Sequence, residues 1–186
     1  MNINTTTINP NLYNTNKKGA FIKSTFFIFY IIFLVTFSSC RITKKTTSAS
    51  SPYNQSRDKK TETMLHTANE YLSTPYKYGG VDKNGMDCSG LIWTSFKRVD
   101  ITLPRTTKEQ SNFGKAVELG KAEEGDLVFF ATNSKNRSEI NHVGIITRKK
   151  NNILYFIHSS IKLGVVENNL SEKYYNDCFI KIMRVY

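Results

Sequence analysis

Three side chains have the types that nucleophilic acyl chemistry uses: Cys88, His142 and His158. Cys88 lies in "NGMDCSGLIWTSF", between a turn-like "KNG" and an apolar run. A cysteine attacks as the thiolate. The first turn of a helix favours that anion through its unpaired N–H groups and its dipole. The sequence predicts such a position, since Asp87 stands where an N-cap would stand and Leu91, Ile92, Phe96 and Val99 form an apolar stripe beyond. Ser89 and Gly90 are small enough to let a substrate chain lie close above the sulfur. A thiol also needs a base. His142 opens "HVGIITR" and His158 ends "ILYFIH". Their separation is even, so a hairpin centred on Lys150 sets them opposite one another, with 148/152, 146/154 and 144/156 paired between. That requires an odd number of loop residues, because a slip of one residue would send the two imidazoles to opposite faces. With this register, one imidazole can take the thiol proton while the other orients it.

Other fates for these residues stay open on spacing alone. In an oxidising compartment Cys88 and Cys178 can pair as a disulfide. A lone histidine at a strand end is commonly a satisfied surface or core residue. Zinc is poorly supported, since there is no C-x-x-C and no histidine pair at helical spacing. Cys178 reads as a core residue at the start of the last strand. His66, among polar neighbours on the first helix, reads as exposed and idle.

The elements that must position these groups follow from periodicity. Thr61–Leu72 has helical spacing and is broken by Pro75. Residues 79–85, "GGVDKNG", form a loop, and Cys88–Val99 a second helix. In "LPRTTKEQ", Thr106 and Glu109 fit a capping box at the start of a third, short helix. Strands then dominate: Asp126–Ala131, His142–Arg148, Ile153–Ser160, Gly164–Glu167 and Cys178–Tyr186. Helices first, strands last and short connections argue an α+β fold with an antiparallel sheet.

The segment before this domain reads as an address. "FFIFYIIFLVTF", residues 26–37, carries no charge and follows Lys17, Lys18 and Lys23. It is shorter than the roughly 20 residues of a spanning helix. A basic region, a short apolar core and the small residues of "SSC" describe an export signal over residues 1–39. The other reading is a membrane anchor extended to Ala20–Ile22. Small residues directly before Cys40 resemble a bacterial lipobox, which implies lipidation of Cys40 and anchoring through its acyl chains. Residues 40–60 then form a polar tether, and residues 61–186 a single folded domain. The net charge of +11 could serve nucleic acid, anionic lipid or an acidic polymer. Export argues against nucleic acid, and the charge suits a carboxylate-rich wall or membrane surface.

The motifs "TPYKYGG", "GMDCSG", "LPRTT-x-EQ", "EEGDLVFF", "HVGI" and "FIHSS…GVV" occur in that order over about Tyr71–Tyr186. Together they resemble the NlpC-type cell-wall endopeptidases, bacterial papain-like cysteine peptidases. The resemblance implies a helical half presenting the cysteine to an antiparallel sheet that carries the histidines. It implies Cys88 as nucleophile, His142 as general base and His158 as orienter. Tyr76 matches a tyrosine that shares the oxyanion site with the Cys88 N–H. Asp87 and Ser89 match residues lining the substrate groove, although Asp87 serves equally as an N-cap. Arg105 matches a motif arginine without an assigned role. The implied substrate is the stem peptide of peptidoglycan, cut at the D-glutamyl–diaminopimelate bond or at the cross-link, by a monomer needing no metal or cofactor. The implied location is the cell envelope, on the periplasmic face. Two further readings are a wall-binding lipoprotein without activity and an amidase or acyltransferase of the same papain-like group.

Overall fold

The computed structural model describes residues 52–133 and 136–186. The expected leader and Cys40 lie outside them. The described residues belong to one compact unit. It opens with α1 (Pro52–Asn69), then a two-stranded ribbon of β1 (Val81–Asp82) and β2 (Gly85–Met86). Next come α2 (Cys88–Lys97), α3 (Thr107–Gln110) and β3 (Lys115–Val117). The remaining elements are β4 (Leu127–Phe130), β5 (His142–Lys150), β6 (Ile153–Ser160), β7 (Gly164–Asn169), α4 (Lys173–Cys178) and β8 (Phe179–Arg184). The six-stranded sheet has the order β3-β8-β4-β5-β6-β7 and every neighbouring pair is antiparallel. This is the α+β architecture expected from the order of helices and strands. Among the described residues no helix is long and apolar enough to cross a membrane.

Strand alternation divides the core. Leu127, Phe129, Val143, Ile145, Ile157 and Val165 face the helical half, where Met64, Leu91, Ile92 and Phe96 meet them. Val128, Phe130, Ile146 and Phe156 face the other way, toward Tyr175 and Cys178 of α4. A strand buried on both faces reads as a continuous apolar run, as "LVFF" does.

Several boundaries differ from expectation. The helix expected from Thr61 begins at Pro52, because Arg57 is held inside the fold. Its guanidinium donates to the Tyr186 carbonyl at 3.2 Å and to Glu123 at 2.8 Å. These partners are remote in sequence, so local polarity hid them. β3 and α4 also escaped detection; three and six residues are too short for periodicity to register. Cys178 consequently closes α4 instead of opening β8, and it is buried.

The β5–β6 hairpin corrects the expected register. It turns through Asn151 and Asn152, both at positive φ (50° and 62°), a two-residue turn of the kind whose twist suits a hairpin. On a regular ladder that even loop would send His142 and His158 to opposite faces. The pairs Lys150↔Ile153, Lys149↔Leu154 and Arg148↔Tyr155 follow the turn. A bulge at Thr147 then shifts the register, and Ile146 pairs with Phe156 and Ile145 with Ile157. The extra residue restores the parity that places both imidazoles on one face. Glu167 of β7 fastens the bulge, accepting from the Thr147 hydroxyl and from Arg148.

Candidate active site

Cys88 is the first residue of α2, as the sequence predicted. Asp87 caps the helix, accepting from the Gly90 N–H at 2.6 Å. The thiol is buried and free, as is that of Cys178, so the disulfide alternative has no place in this fold. The Cys88 sulfur lies 3.5 Å from the Thr107 hydroxyl. Burial pushes the thiol up from its ordinary value. The Thr107 contact and the backbone N–H groups of Val143 and Ser89 oppose that rise only in part.

The segment "LPRTTKEQ" grips the tripeptide Asp87-Cys88-Ser89 one residue at a time. Arg105 makes a two-pronged pair with Asp87, 2.9 Å to each carboxylate oxygen, and donates to the Ser89 hydroxyl at 2.9 Å. Thr107 meets Cys88. Gln110, fully buried, donates to the Ser89 carbonyl at 3.1 Å. The capping box between Thr106 and Glu109 sets the start of this short helix as expected. Arg105 thus acquires a role. A paired, hydrogen-bonded carboxylate tolerates burial where a lone one would not. Burial tends to raise the Asp87 carboxyl. Arg105 and the Gly90 and Gly79 N–H groups outweigh it and hold that carboxyl below the usual range. Asp87 and Ser89 are both buried and spend their polar atoms on this network.

Gly90 serves packing. A Cβ there would lie 2.2 Å from the Gly80 carbonyl oxygen, so the small residue admits the "YGG" loop. The same loop donates the Gly79 N–H to Asp87 at 2.7 Å. Tyr76 bridges Met86, two residues before the nucleophile position. Burial, then the neighbouring Cys88 and Asp87, raise its phenol. Ser159 of "FIHSS" donates to the Met86 carbonyl at 2.7 Å and ties β6 to this turn.

The two histidines meet. His142 Nε2 and His158 Nδ1 are 2.8 Å apart, with the rings edge to face. Gly144 leaves room for this diagonal contact; a Cβ there would stand 3.3 Å from the His158 Cβ. His158 is buried, and its Nε2 lies 2.9 Å from Asn168 Oδ1 and 3.0 Å from the Tyr175 hydroxyl. Burial, reinforced by the neighbouring imidazole, drives His142 down to about 3. Burial also lowers His158. Both rings are therefore neutral at neutral pH, the state in which a histidine can accept a proton. A cavity of about 360 Å³ opens beside the pair, bordered by Thr132, Ser160, Lys162 and Tyr174. A more open groove of about 710 Å³ runs along α1 near His66, away from these groups.

Sequence reasoning singled out Cys88, His142 and His158; the side chains that surround them here, Thr107, Gln110, Asn168, Glu172 and Tyr175, it did not single out. The first two were visible inside a quoted motif, whose polar residues lie three apart. Asn168 sits on β7, Glu172 at the N-cap of α4 and Tyr175 within α4, where no local pattern marks them.

Residues 73–184 match the NlpC/P60 family. A probable endopeptidase of Haemophilus influenzae is 38% identical over 117 residues, covering 62% of this chain and 69% of that protein. The Escherichia coli protein named murein DD-endopeptidase MepS/murein LD-carboxypeptidase is 35% identical over 117 residues, covering 62% and 58%. Among solved structures, an NlpC/P60 family protein from Bacillus cereus superposes with a TM-score of 0.61 at 28% identity, covering 67% of this chain and 40% of that one. The match spans the buried cysteine at the head of α2 and the paired histidines of the sheet, and on it the chain belongs to the NlpC/P60 family.

Proposed function

We propose that this protein is an envelope-bound peptidoglycan endopeptidase in which Cys88 attacks, His142 transfers the proton and His158 orients His142. That it is a peptidoglycan-hydrolysing cysteine peptidase follows from its family. The observation that carries the assignment of roles is the 2.8 Å contact between two neutral imidazoles, next to the Val143 backbone N–H that meets the Cys88 thiol. In the first step the Cys88 proton passes to His142 and the sulfur forms a bond to the amide carbon. The Tyr76 hydroxyl and the Cys88 N–H receive the developing oxyanion. The tetrahedral adduct collapses, the C–N bond breaks and His142 returns the proton to the leaving amine. Water, deprotonated by His142, then opens the thioester, giving the free acid and the thiol.

The substrate is a stem peptide, cut at the D-glutamyl–diaminopimelate bond or at the cross-link. Lys162, exposed at the rim of the cavity beside His142, suits the free carboxylates of such peptides. Asp87 and Ser89 shape the wall of the groove through the network they form. Lipidation at Cys40 would hold a monomer at the membrane, within reach of the wall. The test is mass analysis of purified muropeptides digested by the wild-type chain and by Cys88→Ala. Cleavage within the peptide by wild type alone is expected, and the product masses identify the bond. Full activity in Cys88→Ala excludes the mechanism. Release of whole peptide from sugar, or transfer to an amine, supports the amidase or acyltransferase reading. Binding without cleavage by wild type supports a wall-binding lipoprotein.

A further inference from the structure

Beyond His158, a chain of hydrogen bonds continues into β7 and α4. Asn168 Nδ2 donates to both carboxylate oxygens of Glu172, at 3.0 and 2.8 Å. Glu172 is itself fixed, since it accepts from the Asn169 backbone N–H at 2.9 Å and from the Asn169 side chain at 3.1 Å. A carboxylate beside an amide dictates which end of the amide it meets: the NH₂ turns toward Glu172 and the carbonyl oxygen turns away. That oxygen, Oδ1, stands 2.9 Å from His158 Nε2. The Tyr175 hydroxyl donates to the same Oδ1 at 3.3 Å; with its one proton spent there, its oxygen, 3.0 Å from His158 Nε2, is left to accept from that nitrogen. An amide oxygen only accepts, so the proton of His158 sits on Nε2 and its Nδ1 carries a lone pair. Nδ1 is the atom 2.8 Å from His142 Nε2. His142 must then donate from Nε2, which leaves its Nδ1 bare.

We propose that Asn168 and Glu172 are positioning residues that fix the tautomers of His158 and His142 in series, so that His142 presents an unprotonated Nδ1 to the reaction. This rests on the assignment of His142 as base and gives the contact between the two neutral histidines a single direction. A neutral histidine pair can hold its shared proton from either side. A reversed pair would place the His158 Nε2 lone pair against Asn168 Oδ1, an acceptor facing an acceptor at 2.9 Å. Correcting that would require rotating the amide, which would set its oxygen against the Glu172 carboxylate. The anion at Glu172 therefore selects one direction for every bond in the series. A wrong tautomer is costly: in a Ser-His-Asp triad it lowers turnover about 10⁴-fold.

The readout is the ¹⁵N spectrum of the three histidines in the selectively labelled full chain carrying Cys88→Ala, in detergent at neutral pH. The expected result is protonated Nε2 and bare Nδ1 on His142, and the same on His158. The opposite tautomer at His142 overturns the proposal, whatever the variants do. Asn168→Leu, otherwise wild type, should lower kcat about 10–100-fold, the scale seen when the supporting partner of a metal-bound histidine is removed, with KM unchanged. In the Cys88→Ala background it should give mixed tautomers. The double variant Asn168→Asp/Glu172→Gln inverts the amide–carboxylate pair but keeps an acceptor toward His158. It should restore a single tautomer and most of kcat. Unchanged kcat in Asn168→Leu, or no restoration in the double variant, overturns the proposal. Muropeptide cleavage by wild type and its loss in Cys88→Ala test the underlying assignment separately.

Discussion

His142→Gln should remove much of the acid sensitivity of the fold. The His142 imidazole has an ordinary value of 6.5 and falls to about 3 in the folded protein. The unfolded chain binds this proton first as pH drops, so the contribution to stability is present above pH 6.5 and is lost progressively toward pH 3. Each unit of difference corresponds to about 1.36 kcal/mol, and over the interval from pH 7 to pH 4 the loss from this one group comes to about 3 kcal/mol. His142 as a residue is only partly buried, which makes that figure an upper bound. His158 shifts in the same direction, but it is present in both proteins and largely cancels in the comparison. The assay is urea unfolding at pH 4, 5, 6 and 7 for wild type and variant, followed by the single tryptophan, Trp93 of α2. Wild-type stability should fall more steeply below pH 6.5 than that of His142→Gln. Parallel curves, within about 0.5 kcal/mol over the interval, would show that His142 is solvated and would refute the reasoning from burial.

Arg105→Ala should destabilise the fold by about 2–3 kcal/mol, below the range for breaking a fully buried pair because Arg105 is partly solvated and Asp87 keeps other donors; Arg105→Lys, which cannot fork, should recover only part of the loss in urea midpoint. Gly90→Ala should fail to give folded protein by circular dichroism, since its Cβ would stand 2.2 Å from the Gly80 oxygen. Alkylation of Cys88 by iodoacetamide, followed by mass spectrometry of the modified peptide, should stay slow through neutral pH and climb above pH 9, because burial raises the thiol. A rate that reaches its plateau below pH 6 would show a resting thiolate and contradict this.

The parts of the fold legible in the sequence were those with local causes. The N-cap at Asp87, the capping box at Thr106 and the strand at Ile153–Ser160 each arise from neighbours within a few residues. Arg57 illustrates the opposite case, since its partners lie 66 and 129 residues away and nothing near it announces them. The histidine pair falls between these. Their even spacing correctly implied a shared face, but for a different physical reason: the loop has two residues, and a bulge supplies the odd count. No feature around Thr147 marks a bulge, whose cause is the Glu167 carboxylate on a neighbouring strand. The packing role of Gly90 had no local sign because the loop it admits is ten or more residues distant.

The bulge has a practical consequence for anyone altering this protein. The histidines are placed by the rungs on their own side of Thr147, which are locked by cores on both faces of the sheet. Beyond it, Arg148 to Asn152 are exposed at the turn, while Leu154 is buried in the second core and Tyr155 pairs with Asn169 of β7. Residues added between Asn151 and Asn152, at the exposed turn, extend the loop and leave the rungs on both sides of the bulge in place. The tip at Asn151–Asn152 is therefore a natural seam for inserting an epitope, a fluorophore site or a crosslinking handle into a working enzyme.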